Sequence, residues 1–184
     1  MKFCSNCGGS LSSVTPPGDD RPRQVCQNCG TVHYENPRMV VGSIPEHDDG
    51  SILLCRRAIE PCSGTWTIPA GYLENGETVS ACAEREAYEE ARARLADVTP
   101  YLLFNICHIN QMYLLFRARL ANPDFSAGPE SLEVKLFREN EIPWGELAFP
   151  VITETLRHYF QDRTSGGFSF GVFDILPTNS VKNS

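Results

Sequence analysis

Glu86, Glu89 and Glu90 stand at i, i+3 and i+4, so on a helix all three carboxylates share one face. Three like charges in one patch repel each other unless a cation sits between them. Hard divalent ions such as Mg²⁺ (or Mn²⁺) take all-oxygen clusters of this kind. Glu77 falls before or at the start of the same helix, and Arg85 is placed to pair with a carboxylate and hold it. Any Glu/Arg-rich helix has a plainer reading as a solvated face with pairs such as Glu90 with Arg94. The spacing here is more demanding. From Gly71 to Glu90 it reads G-x5-E-x7-R-E-x2-E-E, six specified residues with roughly one chance in 10⁵ at average usage.

A second set of chemistry-bearing residues lies at the other end. Cys4, Cys7, Cys26 and Cys29 form two C-x2-C pairs with eighteen residues between them. Gly8 and Gly30, just after each second cysteine, permit the positive φ of a metal-binding knuckle. Four thiolates at about 2.3 Å close a tetrahedral Zn²⁺ site with no open position, which makes it structural and not catalytic. Redox-active thiols would not need the duplicated knuckle. Residues 1–36 carry Lys2, Arg21 and Arg23 against Asp19, Asp20 and Glu35. With no basic excess to mark a nucleic-acid module, the ribbon is expected to stabilise or position the larger domain. Cys55, Cys62, Cys82 and Cys107 are scattered, and like His33 and His108 they are read as structural.

The elements that must hold these residues divide at Pro37. Residues 12–23 are rich in Pro, Gly and Asp and carry almost no core residues, so the first segment needs a metal staple. We read residues 1–36 as a zinc ribbon, 37–164 as the main domain and 165–184 as a C-terminal tail. In the main domain, 38–44 and 51–57 are strand-like with a turn at 47–50, a hairpin pattern. A Gly/Pro-punctuated loop covers 65–77, and 78–94 is helical. Strands follow at 99–108 and 111–120, then a long loop at 121–131, a strand at 132–137 and a last helix at 151–162. The tail from 164 is rich in Gly, Ser and Asn and is expected to be partly mobile. Strands in runs with two helices indicate a mixed α/β sandwich.

Composition narrows the partners. The 184 residues hold sixteen basic and twenty-three acidic side chains, a net charge of −7. That balance argues against a broad footprint on nucleic acid or anionic lipid. No apolar run reaches the ~18 residues of a membrane span, and the N-terminus lacks a signal-peptide apolar stretch. A soluble, cytoplasmic protein is the expectation.

The Gly71–Glu90 pattern is the Nudix box, and the chain resembles a Nudix hydrolase. Arg92 stands where the family usually has glycine, and Ala93 where a bulky apolar residue follows. Trp66-Thr67-Ile68-Pro69-Ala70-Gly71 resembles the family's loop leading into the box. A zinc ribbon ahead of a Nudix domain occurs in the NADH pyrophosphatase branch and in a branch like the plant chloroplast FAD pyrophosphatase. Residues 36–42, 68–74 and 128–133 look closer to the second. The Ser-Gln-Pro-Trp-Pro-Phe-Pro signature of the NADH branch is absent, and Ile109-Asn110-Gln111-Met112-Tyr113 occupies the comparable region.

The resemblance implies an α/β/α sandwich with a mixed sheet and Mg²⁺-dependent hydrolysis of the diphosphate in an ADP-linked compound. FAD or ADP-ribose is the first expectation. NADH, or binding of a nucleotide without turnover, is the alternative. It implies Glu86 and Glu90 as principal metal ligands, the Ala70 backbone oxygen as another, and Glu89 as ligand or base. Glu77 and Arg85 complete the box. Glu130 is the downstream carboxylate, with Glu133 its competitor. Arg38, Arg56 and Arg57 are candidates for phosphate pairing. Tyr72, Trp66 and Tyr113 are candidates for stacking on a base or flavin. A homodimer is expected by family analogy alone.

Overall fold

In the computed structural model, which describes residues 1–177, the chain divides at Pro37 into a small N-terminal unit and a larger one from Arg38 onward. The first is a three-stranded antiparallel sheet of β1 (Leu11–Val14), β2 (Arg23–Cys26) and β3 (Val32–His33). Its only fully buried side chains are Cys4 and Cys26. Backbone pairing thus shapes this unit while almost no apolar surface leaves water, which is why its strands do not register as hydrophobic patterns.

The second unit is built on an eight-stranded mixed sheet. In chain order its first strands are β4 (Arg38–Glu46), β5 (Ile52–Arg57), β6 (Trp66–Thr67) and β7 (Ala70–Tyr72). Helix α1 (Val79–Ala91) follows, then β8 (Leu95–Ile106), β9 (Gln111–Leu120) and β10 (Ser131–Phe137). Helix α2 (Pro150–Ser165) and β11 (Gly171–Asp174) complete it. The main path runs β10-β5-β4-β9-β8-β11, with β6 on β5 and β7 on β4. β4–β9 and β8–β11 are parallel, and the other pairs antiparallel.

Alternation along the strands creates two buried faces. Leu115 of β9 and Leu102 and Phe104 of β8 pack with Val151, Ile152, Leu156, Tyr159 and Phe160 of α2. Phe116 and Leu114, one residue out of step, pack with Val41 and with Cys82 and Ala83 of α1. A helix on each face makes the expected α/β/α sandwich. Each fully buried large apolar side chain contributes about 1.5–3 kcal/mol, so β9, apolar on both faces, is the sheet's anchor. Among the described residues, no helix is long and apolar enough to cross a membrane.

Three local expectations change. The hairpin pairs only at its tip: β4 and β5 are registered at Glu46–Ile52, then diverge, β4 taking β7 and β9, β5 taking β6 and β10. The helix expected over 78–94 ends at Ala91. Thr78 caps its start by accepting from the Ala81 N–H at 3.2 Å, and Arg92 turns left-handed (φ 51°) at its end. The described part of the tail packs on the domain: Phe168, Phe173 and Ile175 lie against the main core and β11 pairs in parallel with β8. Phe168, Phe170 and Val172 alternate with serine and glycine in a strand-like pattern that the tail's overall Gly, Ser and Asn content obscures. Residues 178–184 of that tail lie outside the described residues.

Candidate active site

Two glycines let the strand and loop backbones close on α1. A Cβ on Gly71 of β7 would overlap the Glu86 carboxylate, and one on Gly128 would overlap the Glu89 carbonyl. The missing side chains set the helix carboxylates directly against β7 on one side and the 121–130 loop on the other. That loop delivers Glu130 to the same cavity as Glu86, Glu89 and Glu90. The cavity measures about 1130 Å³, somewhat larger than the usual small-ligand site.

Arg85 organises the acidic residues. Its Nε donates to Glu77 Oε1 at 2.8 Å and its Nη2 to Glu77 Oε2 at 3.0 Å. Its Nη1 donates to Glu86 Oε1 at 2.6 Å and Glu89 Oε2 at 3.0 Å, and Nη2 reaches the Tyr72 carbonyl at 3.1 Å. One planar fork thus fixes three carboxylates and a strand backbone. Glu77 stands outside the cavity lining, and the Arg85 guanidinium holds its carboxyl down to about 2.

Glu86 and Glu90 are buried, 8% and 7% exposed. Burial first, then the Glu86 charge, pushes Glu90 up to about 8, while the Ala70 backbone N–H and Arg57 pull the other way. Burial also raises Glu86, against the pull of Arg85. Glu90 Oε2 is buried with no hydrogen-bond partner among the described residues. An orphaned carboxylate oxygen beside a second buried carboxylate is costly without a cation. With Glu89 and Glu130 in the same cavity, the donors are all hard oxygens, which fits a divalent ion of the Mg²⁺ kind.

The expected substrate contacts separate. Arg57 lines the cavity, tied by its Nε to the Pro61 carbonyl (2.9 Å) with its guanidinium 5.3 Å from the centre of the Phe149 ring. Tyr72 and Tyr113 also line it, and the Tyr72 hydroxyl accepts from Gln111 Nε2 at 3.0 Å. Arg38 lies outside the lining, over the Tyr72 ring at 6.0 Å. Arg56 turns away: its Nε donates to the Gly64 carbonyl (2.8 Å) and it pairs with Glu133 at 3.9 Å. Trp66 is core, edge-on to Phe137 at 4.8 Å, and leaves the stacking set. Gln111, Phe149 and Arg92 line the cavity without having been foreseen. Of these only Arg92 left a signal, as the departure from glycine in the box.

In the first unit the four cysteine sulfurs all lie within 4.8 Å of one another. Cys7–Cys26 and Cys4–Cys29 are 3.4 and 3.8 Å apart. A tetrahedral Zn²⁺ with bonds of about 2.3 Å needs sulfurs about 3.8 Å apart, so the set fits the ion. Gly8 and Gly30 have φ of 71° and 73°, and each donates back to the first cysteine of its pair. His33 Nε2 is 3.3 Å from Cys4 Sγ and Thr31 Oγ1 is 3.1 Å from Cys29 Sγ, a surrounding shell that the cysteine spacing does not reveal.

A carboxylate helix clamped between a strand glycine and a loop glycine, on one face of an α/β/α sandwich, defines a Nudix-type hydrolase. Residues 36–158 match the NUDIX domain family and residues 2–35 match the family described as Nudix N-terminal, so the chain belongs to the Nudix family, with a zinc ribbon at its N-terminus. A NUDIX hydrolase crystal structure from Nitrosomonas europaea is 48% identical, with TM-score 0.88, covering 95% of this chain and all of that one. An ADP-ribose pyrophosphatase from Streptococcus suis is 17% identical with TM-score 0.61, over 74% of this chain and 99% of its own, and shows the fold alone.

Two curated relatives named NAD-capped RNA hydrolase NudC are also similar. The Photobacterium profundum protein is 28% identical over 85% of this chain and 58% of its own length. The Vibrio parahaemolyticus protein is 26% identical over 88% and 62%. This chain therefore spans about 58–62% of the length of these relatives. The names of these two relatives refer to NAD-capped RNA and not to a flavin.

Proposed function

We propose that the protein is a divalent-metal-dependent pyrophosphatase, Mg²⁺ being the expected ion, that cuts the diphosphate of an adenine dinucleotide. NAD(H) is the first substrate and FAD the second. The observation that carries this is Glu90 Oε2, buried and unpartnered beside Glu86 in a cavity of about 1130 Å³. The similarity to NAD-capped RNA hydrolases supports the nicotinamide reading over flavin. It also brings in a dinucleotide carried on the end of an RNA, which the net charge of −7 does not argue against, because only the terminal dinucleotide need enter.

In this reading water attacks one phosphorus, the bridging P–O bond breaks, and NADH leaves as reduced nicotinamide mononucleotide and AMP. Bound divalent ions supply charge neutralisation at the phosphoryl oxygens and a lowered pKa for the attacking water. Glu86, Glu90 and the Ala70 backbone oxygen would hold them, with Glu130 as the further carboxylate of the cavity. Glu89, more exposed and tethered to Arg85, would serve as a further ligand or as the base that takes the water's proton. Arg57, steadied on Phe149, offers its free fork to the diphosphate. Arg85 positions the carboxylates. The Cys4/Cys7/Cys26/Cys29 set holds structural Zn²⁺. The homodimer stays an expectation of the family resemblance, and the cytoplasmic location one of the sequence composition.

The test is incubation with Mg²⁺ and equal concentrations of NADH, NAD⁺, FAD and ADP-ribose, with products separated by chromatography. Mononucleotide and AMP should appear fastest from NADH or NAD⁺. FMN appearing faster would move the substrate to flavin. Glu90→Gln should lower turnover at least roughly 100-fold. No turnover of any substrate by the unsubstituted protein would favour the binding-only reading.

A further inference from the structure

Arg38, Arg57, Arg92 and Arg94 form no ion pair with any described residue, although the chain is acidic. Each lies over an aromatic ring instead, and Arg92 and Arg94 share one. Their guanidinium carbons are 5.1 and 5.4 Å from the centre of the Tyr88 ring. Tyr88 is 43% exposed. A ring fixes the plane of a guanidinium without using its N–H donors, so these two forks are steadied and unspent.

Their place in the fold gives them a direction. Tyr88 is on the last turn of α1, and Arg92 lies just past its end and lines the cavity with Glu89. Arg94 continues outward along the chain and is exposed. The patch therefore runs from the edge of the carboxylate cavity to solvent. Arg92 also holds a left-handed backbone (φ 51°), a conformation that favours glycine. The helix end has no need of a side chain there.

We propose that Arg92, Tyr88 and Arg94 form a subsite outside the cavity for the first phosphodiester of an RNA strand attached to the dinucleotide. Two guanidinium groups gathered on one exposed ring bring two forks of bidentate donors to the same place, which suits a phosphodiester, and the exposed Tyr88 offers aromatic surface for the adjoining base. The inference rests on the dinucleotide reading of the cavity and names what lies beyond it.

The experiment is fluorescence anisotropy with a 3′-labelled ten-nucleotide single-stranded RNA bearing a 5′-monophosphate, in Mg²⁺, with AMP as competitor. The full chain should bind the RNA more tightly than AMP. Arg92→Gln with Arg94→Gln should weaken RNA binding roughly tenfold and flatten its salt dependence by about one charge per arginine, with AMP binding reduced less. A charge-matched control, Arg138→Gln with Arg157→Gln, should leave RNA affinity near that of the starting protein. Arg92→Gly, which relaxes the backbone, provides a folded variant if the glutamine pair misfolds. RNA bound no better than AMP, unchanged affinity in the Arg92/Arg94 variants, or an equal loss in the control overturns the subsite. Because binding is read without turnover, failure of the dinucleotide reading would show separately in the product assay.

Discussion

Gly128 rests on the Glu89 carbonyl at the end of α1, so closely that a Cβ would overlap that oxygen. Its N–H donates to the Glu90 carbonyl at 2.9 Å, and the Ser126 N–H to the Ala91 carbonyl at 2.9 Å. The last turn of a helix leaves carbonyls without intrahelical partners. Here the 121–130 loop uses them as its anchor, so the end of the carboxylate helix also fixes the position of Glu130.

Gly128→Ala should therefore cost about 1–3 kcal/mol by forcing the loop off the helix. Urea unfolding reads the stability. Metal-dependent turnover should fall with it, because Glu130 moves. A variant with unchanged stability and turnover would show that the loop is held by something other than this contact.

Arg85→Lys should keep the positive charge and lose the fork. A single ammonium cannot make the paired bonds to Glu77 together with those to Glu86, Glu89 and the Tyr72 carbonyl. Misplaced carboxylates should lower kcat by roughly 100-fold with less change in KM. Acid stability adds a second readout. Arg85 lowers Glu77 from an ordinary 4.5 to about 2. Glu77 thus contributes stability that is present above pH 4.5 and lost as pH falls toward 2. Replacing the fork should shift the acid unfolding midpoint upward. An unchanged acid midpoint would separate Glu77 from Arg85.

Much of this centre was legible because the box specifies residue types at fixed spacing. The helix, its shared carboxylate face and the Arg85–Glu89 pair follow from i, i+3, i+4 geometry, whereas the Arg85 bonds to Glu77 and Glu86 do not. The cysteine knuckles were equally readable, since Gly8 and Gly30 mark both the turn and its φ. What failed was local pattern read without tertiary context. Trp66 looked like a stacking ring, yet β6 turns it against Phe137. Arg56 and Arg57 are neighbours of the same type, but strand alternation sends only Arg57 to the cavity. Gln111 and Phe149 come from a distant strand and helix start, and no short-range spacing unites them with Tyr72 or Arg57.

Glu90→Gln should stabilise the metal-free protein as it removes activity. The Glu90 carboxyl rises from 4.5 to about 8 on folding. A raised acid contributes stability that is full below pH 4.5 and lost as pH rises to 8, where the buried group must ionise. In chelator, the melting temperature of the unsubstituted protein should decline relative to Glu90→Gln between about pH 5 and 8 and run parallel above that. Saturating Mg²⁺ should close the gap, because the ion takes the charge that burial opposes. Parallel melting curves across the whole range would mean that Glu90 is ionised without metal.

Removal of metal from the first unit makes the sharpest structural prediction. Its only fully buried side chains are two of the four cysteines, so the area of apolar surface withheld from water is too small to offset the entropy of ordering the segment. Structural Zn²⁺ supplies about 10–16 kcal/mol in comparable small sites, and here that energy has no substitute. Elemental analysis should give one zinc per chain, falling to none in Cys26→Ser. After chelation, amide protons of β2 and β3 should exchange at the rate of unfolded chain, while those of β4 and β9 keep their protection. β9 is apolar on both faces and owes nothing to the cysteines. Retained protection in β2 without zinc would mean that the three-stranded sheet carries its own stability, and that the cysteine cluster serves some end other than folding.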